Sequence, residues 1–130
     1  IWSGKIFRFV PKQLYLIGSS FGGPAAILAS RDPRVTKAIA ISPVVDWRAP
    51  SKAEPLDWLK RFVHDAFGEG YRFRTRDWDK LKGGKFYNPV AHSDELDPQK
   101  LFIIHARDDK LVSFRSVERF VKKVGCHLYF

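Results

Sequence analysis

The chain has 130 residues, of which 45% are hydrophobic and 15% aromatic, a composition that predicts one folded domain and excludes a disordered segment. No apolar run reaches the ~18 residues of a membrane span and no signal-peptide layout opens the chain, so we expect no membrane partner. The formal net charge is +9, but the basic residues are scattered and no recognition motif accompanies them, so we expect no nucleic-acid partner.

The first half of the chain predicts a parallel strand–helix–strand unit. Residues 13–17 form a short apolar run that stops at a glycine turn, and residues 24–30 form a helix of small residues. Residues 35–41 form a second apolar run, which closes at Ser42-Pro43. Both runs are continuously apolar, as strands buried on both faces of a sheet are.

From residue 47 to about residue 97 the pattern changes to charges, aromatics, glycines and prolines, so we expect an excursion from the sheet. Ser51 and Glu54 have the spacing of a capping box, and Pro55 follows in the first turn of the helix that they introduce. The apolar residues that mark this helix at helical spacing are Leu56, Leu59, Val63 and Phe67.

The sheet resumes with residues 100–105, a third apolar strand, and residues 127–130 begin a fourth. Between these strands lie an acidic turn and a helix that ends at Gly125. The apolar face of this helix is formed by Phe114, Val117, Val121 and Val124. Strands that alternate with helices predict an α/β fold, a three-layer α/β/α sandwich with a mostly parallel sheet, whose reactive groups lie at the C-terminal ends of the strands.

The glycine turn after the first strand, Gly18-Ser19-Ser20-Phe21-Gly22-Gly23, contains G-x-S-x-G between a strand and a helix. This context predicts that Ser20 is a nucleophile on a sharp, strained turn, with glycines on either side that leave room for the chain. The backbone N–H of Phe21 is then a candidate donor to an oxyanion. A dinucleotide fingerprint would need glycine at Ser20 and a P-loop would need lysine at Pro24, so both are excluded. The alternative is that small residues merely let the helix approach the strand.

A serine nucleophile needs a histidine that takes its proton and a carboxylate that orients the histidine. Asp108 and Asp109 follow the third strand directly, where a carboxylate can reach the sheet edge that carries Ser20.

These motifs resemble the catalytic domain of the prolyl oligopeptidase family and related α/β-hydrolase esterases. The family's elbow has a doubled glycine after the nucleophile, as in Gly22-Gly23, and its acid lies in an H-G-x-x-D-x-x-V segment. Residues 105–112 read His-Ala-Arg-Asp-Asp-Lys-Leu-Val, with Ala106 where the family has glycine. The resemblance assigns the acid to Asp109, and it covers only the second half of the family's fold. We therefore expect a single, incomplete α/β-hydrolase domain over residues 1–130.

The resemblance also implies that the early strands of the fold precede Ile1, where no initiator methionine stands, and that the catalytic histidine follows Phe130. None of the four histidines of the chain suits the role of the base. Two precede the acid within the excursion, one lies in the strand before the acid, and one begins the fourth strand instead of following it. In that order they are His64, His92, His105 and His127.

The function that the resemblance implies is cleavage of a peptide or ester bond in a small substrate through an acyl-enzyme on Ser20, with no metal or organic cofactor. The doubled glycine and the acid segment favour a prolyl oligopeptidase-like peptidase. The alternatives are a carboxylesterase for small esters and a non-catalytic binding module that keeps the elbow as architecture. Val45 and Trp47 follow the second strand as candidate pocket residues, although an aromatic residue there also suits the core.

Two expectations concern the surroundings of the chain. The first strand lacks the neighbour with which it usually pairs, so we expect its edge to be covered by a second copy of the chain, by a missing segment or by local rearrangement. The single cysteine, Cys126, cannot form an internal disulfide, which favours a reducing, cytoplasmic compartment.

Overall fold

Four parallel strands form the centre of the protein. The structure is a computed structural model that describes residues 4–6, 8–49 and 56–130. The strands lie side by side in chain order, and each pairs in parallel with the next. They are β1 (Leu14–Ser19), β2 (Val35–Ile41), β3 (Leu101–Ile104) and β4 (His127–Tyr129). All four therefore end at one edge of the sheet, which confirms the predicted α/β fold with a parallel sheet.

Two helices pack on one face of this sheet. The helix α1 (Gly22–Ala29) connects β1 to β2, and the last helix, Phe114–Val124, connects β3 to β4. Side chains from both helices share one core with the strands, and Ile27 and Phe120 are 0% and 1% exposed in it. Phe120 lies on the buried face of the last helix with Val117 and Val121. The predicted face of that helix omitted Phe120, which is the largest side chain that the helix buries.

The opposite face of the sheet is apolar and open in the described residues. Along β2 and β3, Ala38, Ala40, Leu101 and Ile103 are fully buried under the helices, whereas the residues that alternate with them are only partly buried. Since side chains alternate across a strand, these others point to the second face. The register places them in rows across the strands, formed by Ile17, Ile39, Ile41, Phe102, Ile104 and Tyr129.

The prediction that β1 is buried on both faces is wrong for the described chain. Tyr15 is 56% exposed and Ile17 is 73% exposed, because β1 pairs only with β2 and its second face has no covering layer. Apolar composition alone indicates that a strand belongs inside a protein, but it does not show which segments cover it.

Between β2 and β3 the described residues contain short helices and no strand. The α-helices among them are α2 (Leu56–Phe67) and α3 (Thr75–Asp79), so the last helix of the chain is α4. Three 3₁₀ helices also occur, at Gly68–Gly70, Lys80–Gly83 and Pro89–Glu95. The segment between β2 and β3 has its own, smaller core, which consists of Trp47, Leu59, Val63, Trp78 and Leu81. The capping box predicted from Ser51, Glu54 and Pro55 lies outside the described residues.

The open sheet face generates a prediction about the isolated chain. We expect residues 1–130 on their own to self-associate, because a contiguous apolar surface of this kind drives association. Ile104→Lys, on the open face, should reduce the association and leave the fold intact. Ile103→Lys is the matched control and should unfold the chain, because it buries an unpaired charge. Sedimentation velocity and circular dichroism measure both effects, and a wild-type chain that remains monomeric at high concentration would contradict the expectation.

Candidate active site

Ser20 lies on the turn between β1 and α1 with a φ of +50°, a left-handed conformation that is uncommon for a residue other than glycine. Its N–H donates to the carbonyl of Ile41 on β2 at 2.9 Å, and its own carbonyl accepts from the N–H of Gly23 at 2.9 Å. These two hydrogen bonds hold the strained backbone from both sides. The exposed side chain of Ser20 therefore sits on a sharp turn at the carboxyl end of the sheet, as the motif predicts.

The glycines around this turn have different steric roles. A Cβ atom on Gly18 would lie 2.1 Å from the carbonyl oxygen of Gly22, and one on Gly23 would lie 2.6 Å from the Cβ of Pro43. A Cβ atom on Gly22 would meet no described atom within 4 Å. Close packing therefore requires glycine at positions 18 and 23. At position 22 a side chain has space, because only the carbonyl group of that residue approaches Gly18.

Phe21 follows Ser20 at the start of α1, with a φ of −58°. Its ring stacks on Trp47, with 5.5 Å between the ring centroids and 28° between the planes. Its carbonyl accepts a hydrogen bond from the hydroxyl of Tyr87 at 3.0 Å. The residue after the candidate nucleophile is thus held through its side chain and through its backbone.

The candidate pocket residues are both buried. Val45 is 2% exposed and belongs to the main core, and Trp47 is 6% exposed in the smaller core. The indole N–H of Trp47 donates to the carbonyl of Tyr87 at 2.7 Å. This burial matches the alternative that the aromatic residue serves the core, and a pocket role for either residue stays a prediction.

Asp109 lies in the turn that follows β3, and its side chain is 15% exposed. Its Oδ1 accepts the N–H groups of Leu111 at 2.8 Å and Val112 at 2.9 Å. Partial burial acts to raise the pKa of Asp109. Hydrogen bonds from the Val112 and Leu111 amides, with the nearby His105 ring and the Ser42 hydroxyl, outweigh burial and hold this pKa below its usual value. The carboxylate is therefore charged at neutral pH.

Hydrogen bonds connect the strand ends that carry these two residues. The N–H of Ser20 reaches Ile41 at the end of β2, and the N–H of Ser42 donates to Ile104 at the end of β3 at 2.8 Å. The hydroxyl of Ser42 also lies near Asp109, where it contributes to the lowered pKa of that carboxyl. Only β2 separates β1 from β3, so their ends lie about 10 Å apart at the usual strand spacing. The structure thus brings the turns of Ser20 and Asp109 to the same edge of the sheet.

The buried ring of His105 supports the turn that carries Asp109. It is 1% exposed, and its Nε2 lies 3.0 Å from the carbonyl of Val112, so this nitrogen carries the proton and donates it. The same nitrogen is 3.6 Å from Oδ2 of Asp109, and the buried Nδ1 has no hydrogen-bond partner in the described residues. The ring therefore connects the end of β3 to residue 112 and is closed to solvent.

The other three histidines contact residues outside the turns that carry Ser20 and Asp109. His127 begins β4 at the opposite end of the sheet and stacks on Phe102, with 5.0 Å between the ring centroids. His92 contacts Glu95 at 2.9 Å, on the side of the sheet where the strands start, and His64 is exposed on α2. Among the described residues, none of the four histidines forms a hydrogen bond with Ser20.

Other observations concern cofactors and membranes. In the part of the chain that the structure describes, no group of three or more histidine, cysteine, aspartate and glutamate side chains is arranged to hold a metal ion. The helices of the same residues are all too short or too polar to cross a membrane. Burial raises the pKa of the Cys126 thiol to about 11, so this thiol is protonated and unreactive at neutral pH.

Sequence reasoning missed Tyr87 and the role of the Ser42 hydroxyl. Ser42-Pro43 indicated a strand end, but nothing in the sequence placed that hydroxyl against Asp109. Tyr87 precedes Asn88-Pro89, a turn signal that could have marked the segment as a tight loop. It did not indicate a contact with residue 21.

Comparisons with known proteins agree with this architecture. The model of the prolyl oligopeptidase family matches residues 5–125. No curated protein sequence is significantly similar to the chain. Among solved structures, an esterase from Pyrococcus furiosus has 21% identical residues and a TM-score of 0.56, and the match covers 91% of this chain and 43% of the esterase.

Two further structures have the same fold. A puromycin hydrolase is 19% identical with a TM-score of 0.61, covering 90% of this chain and 17% of the hydrolase. A lipase-esterase related protein from Clostridium acetobutylicum is 18% identical with a TM-score of 0.57, covering 91% of this chain and 57% of that protein. At these identities the similarity shows an α/β-hydrolase fold, and the chain spans 57% or less of each of these structures.

The close packing around Gly18 predicts opposite outcomes for two glycine substitutions. Gly18→Ala should lower the free energy of unfolding by at least about 2 kcal/mol, because the new Cβ collides with backbone. Gly22→Ala should stay within about 1 kcal/mol of wild type, since no described atom opposes it and alanine favours the helix. Urea unfolding of the two variants measures both values, and equal losses would show that the glycines are not distinguished by packing.

The lowered pKa of Asp109 predicts a pH-dependent contribution to stability. A carboxyl whose pKa is depressed by folding stabilises the protein above its unfolded pKa of about 4, and this contribution is lost as the pH falls through the folded pKa. Wild type should therefore exceed Asp109→Asn in stability at pH 7, and the difference should shrink below about pH 4. Asp108→Asn, at the exposed neighbour, is the control. A difference that is constant from pH 7 to pH 3 would contradict this electrostatic explanation.

Proposed function

This chain belongs to the prolyl oligopeptidase family, and from that membership we propose that its parent protein is a serine peptidase that forms an acyl-enzyme on Ser20. The observation that supports this most is the left-handed φ of +50° at Ser20, on a strand-to-helix turn whose side chain is exposed. Architecture alone does not need a strained serine at this position, because glycine adopts the conformation without cost. The strain is a feature of serine nucleophiles on such turns.

In the proposed reaction the Oγ of Ser20 attacks the carbonyl carbon of the substrate, and the carbonyl oxygen becomes an oxyanion. The N–H of Ser20 already donates to Ile41, so it cannot serve this oxygen. The next amide in the chain is that of Phe21, at the N-terminus of α1, where backbone N–H groups and the helix dipole favour negative charge. We assign the oxyanion contact to this amide.

The proton of Ser20 goes to a histidine that we place after Phe130 in the parent protein. That histidine donates it to the leaving amine, and water then cleaves the acyl-enzyme to give the carboxylic acid and free Ser20. Asp109 orients the histidine. Two backbone amides occupy Oδ1 of Asp109, so among the ~four acceptor positions of a carboxylate those of Oδ2 remain for an imidazole N–H.

The substrate class follows from the family and from the motifs. The doubled glycine, Gly22-Gly23, and the segment of residues 105–112 favour a small peptide over an ester. A carboxylesterase with the same acyl-enzyme chemistry is the second candidate, since two structures of similar fold are described as an esterase and a lipase-esterase related protein. The proposed reaction requires no metal or organic cofactor.

We also propose that further segments of the parent protein, or a second copy of the chain, cover the edge of β1 and the open face of the sheet. The exposure of Tyr15 and Ile17 supports this, because apolar strand edges recruit partners. A cytoplasmic location stays a prediction from the lone, buried Cys126.

The proposed function predicts the behaviour of two neighbouring serines in the full-length parent protein. Wild type should hydrolyse aminoacyl amides and react with a fluorophosphonate probe at Ser20. Ser20→Ala should lower kcat by about 10⁴-fold or more and abolish labelling, because the nucleophile is lost. Ser19→Ala, at the exposed adjacent residue, should retain both.

The outcomes separate the alternatives. Turnover of short acyl esters without turnover of amides would identify a carboxylesterase. A full-length protein that is silent towards both substrates and the probe would identify a non-catalytic module, and labelling that persists in Ser20→Ala would disprove the assignment of the nucleophile.

A further inference from the structure

Tyr87 has an unusual position for a residue of the excursion. Its hydroxyl donates to the carbonyl of Phe21 at 3.0 Å, although the two residues are 66 positions apart in the chain. Its own backbone has a φ of +50°, a left-handed conformation that strains a residue with an aromatic side chain. A strained residue that contacts the nucleophile turn calls for an explanation in terms of what the contact does.

The strained segment is fixed from the loop that follows β2. The indole N–H of Trp47 donates to the carbonyl of Tyr87 at 2.7 Å, and the two rings stack with centroids 6.4 Å apart. The next residue, Asn88, is 0% exposed and accepts the backbone N–H of Trp47 at 3.2 Å. Its side-chain amide donates to the carbonyl of Gly84 at 2.8 Å and to Asp46 at 3.1 Å. These contacts hold the backbone and the ring of residue 87, and its hydroxyl reaches the turn that carries Ser20.

The hydroxyl of Tyr87 lies against the first turn of α1. It donates to the carbonyl of Phe21, and the nearby N–H of Ala25, the residue one helical turn later, partly offsets the effect of burial on the pKa of Tyr87. Burial raises the pKa of Tyr87, so the phenol keeps its proton and remains a donor at neutral pH. The ring of Phe21 is held in turn by its stack on Trp47.

We propose that Tyr87 is a positioning residue that aims the N–H of Phe21 at the oxyanion. The inference rests on the proposed function and adds to it a role for the excursion. Ser20 is fixed by Ile41 on one side of the peptide group that carries this N–H, and the carbonyl of Phe21 is fixed by Tyr87 on the other. With both flanks held, the N–H keeps its direction while charge develops on the substrate, so no reorganisation is needed in the transition state.

The test uses the full-length parent protein and Tyr87→Phe, which keeps the ring and removes only the donor. The expected result is a fall of about tenfold in kcat/KM for an aminoacyl amide, the effect of one hydrogen bond and less than the ~10²-fold loss of an oxyanion donor itself. The KM should change by less than about twofold, since an oxyanion contact acts on the transition state. The affinity for a peptide trifluoromethyl ketone, which forms a tetrahedral adduct, should fall by the same factor as kcat/KM.

Tyr15→Phe is the matched control. It removes the same hydroxyl at the start of β1, far from the elbow, where that group donates to the exposed side chain of Gln13. Its kinetics should equal those of wild type. If Tyr87→Phe fails to fold, 4-fluorophenylalanine at position 87 fills the volume of the hydroxyl without a proton to donate, and the same tenfold loss is expected.

Two results would overturn the inference. One is a folded variant at position 87 with wild-type kcat/KM and wild-type affinity for the ketone. The other is a rise in KM at constant kcat, which would indicate a contact with substrate. Both are distinct from failure of the proposed function, in which wild type itself would not react with the fluorophosphonate at Ser20.

Discussion

The hydrogen bond from the N–H of Ser20 to the carbonyl of Ile41 fixes where the site can form. It extends the pairing of β1 and β2 by one step beyond the strand, at a residue whose φ of +50° no longer belongs to a strand. Ser42 repeats the arrangement one strand further on, with a φ of +44° and a bond to Ile104. Each left-handed residue costs about 1–3 kcal/mol, so these turns persist only because the buried sheet beneath them is rigid. The geometry of the site therefore depends on the buried core beneath it, which includes Ala38, Ala40, Leu101 and Ile103.

The excursion contributes to the site through its own small core. Trp47 and Trp78 pack around Phe21, and Tyr87 reaches the same residue from a segment that Asn88 holds. The acid turn has a comparable support, since two backbone amides and the buried ring of His105 shape it. The groups with proposed chemical roles, Ser20 and Asp109, are thus placed by neighbours that do no chemistry.

Local patterns predicted the parts of this site that local geometry determines. The glycines at positions 18 and 23 are needed because a strand, a helix and Pro43 approach one another within a few residues, and such a turn has a short signature. The location of Asp109 in the turn after β3 was predictable for the same reason, and its role as the acid stays a proposal. The burial of β1 was not, because it depends on which distant segments cover the sheet. Tyr87 was not either, since its contact with Phe21 depends on how the whole excursion folds back onto the elbow.

A crystal structure of the full-length parent protein after reaction with a fluorophosphonate tests the central claim most directly. We expect phosphorus bonded to the Oγ of Ser20, a phosphoryl oxygen within hydrogen-bond distance of the N–H of Phe21, and an imidazole from beyond Phe130 between Ser20 and Asp109. An adduct on another residue, or an Asp109 carboxylate that contacts no imidazole in that structure, would contradict it.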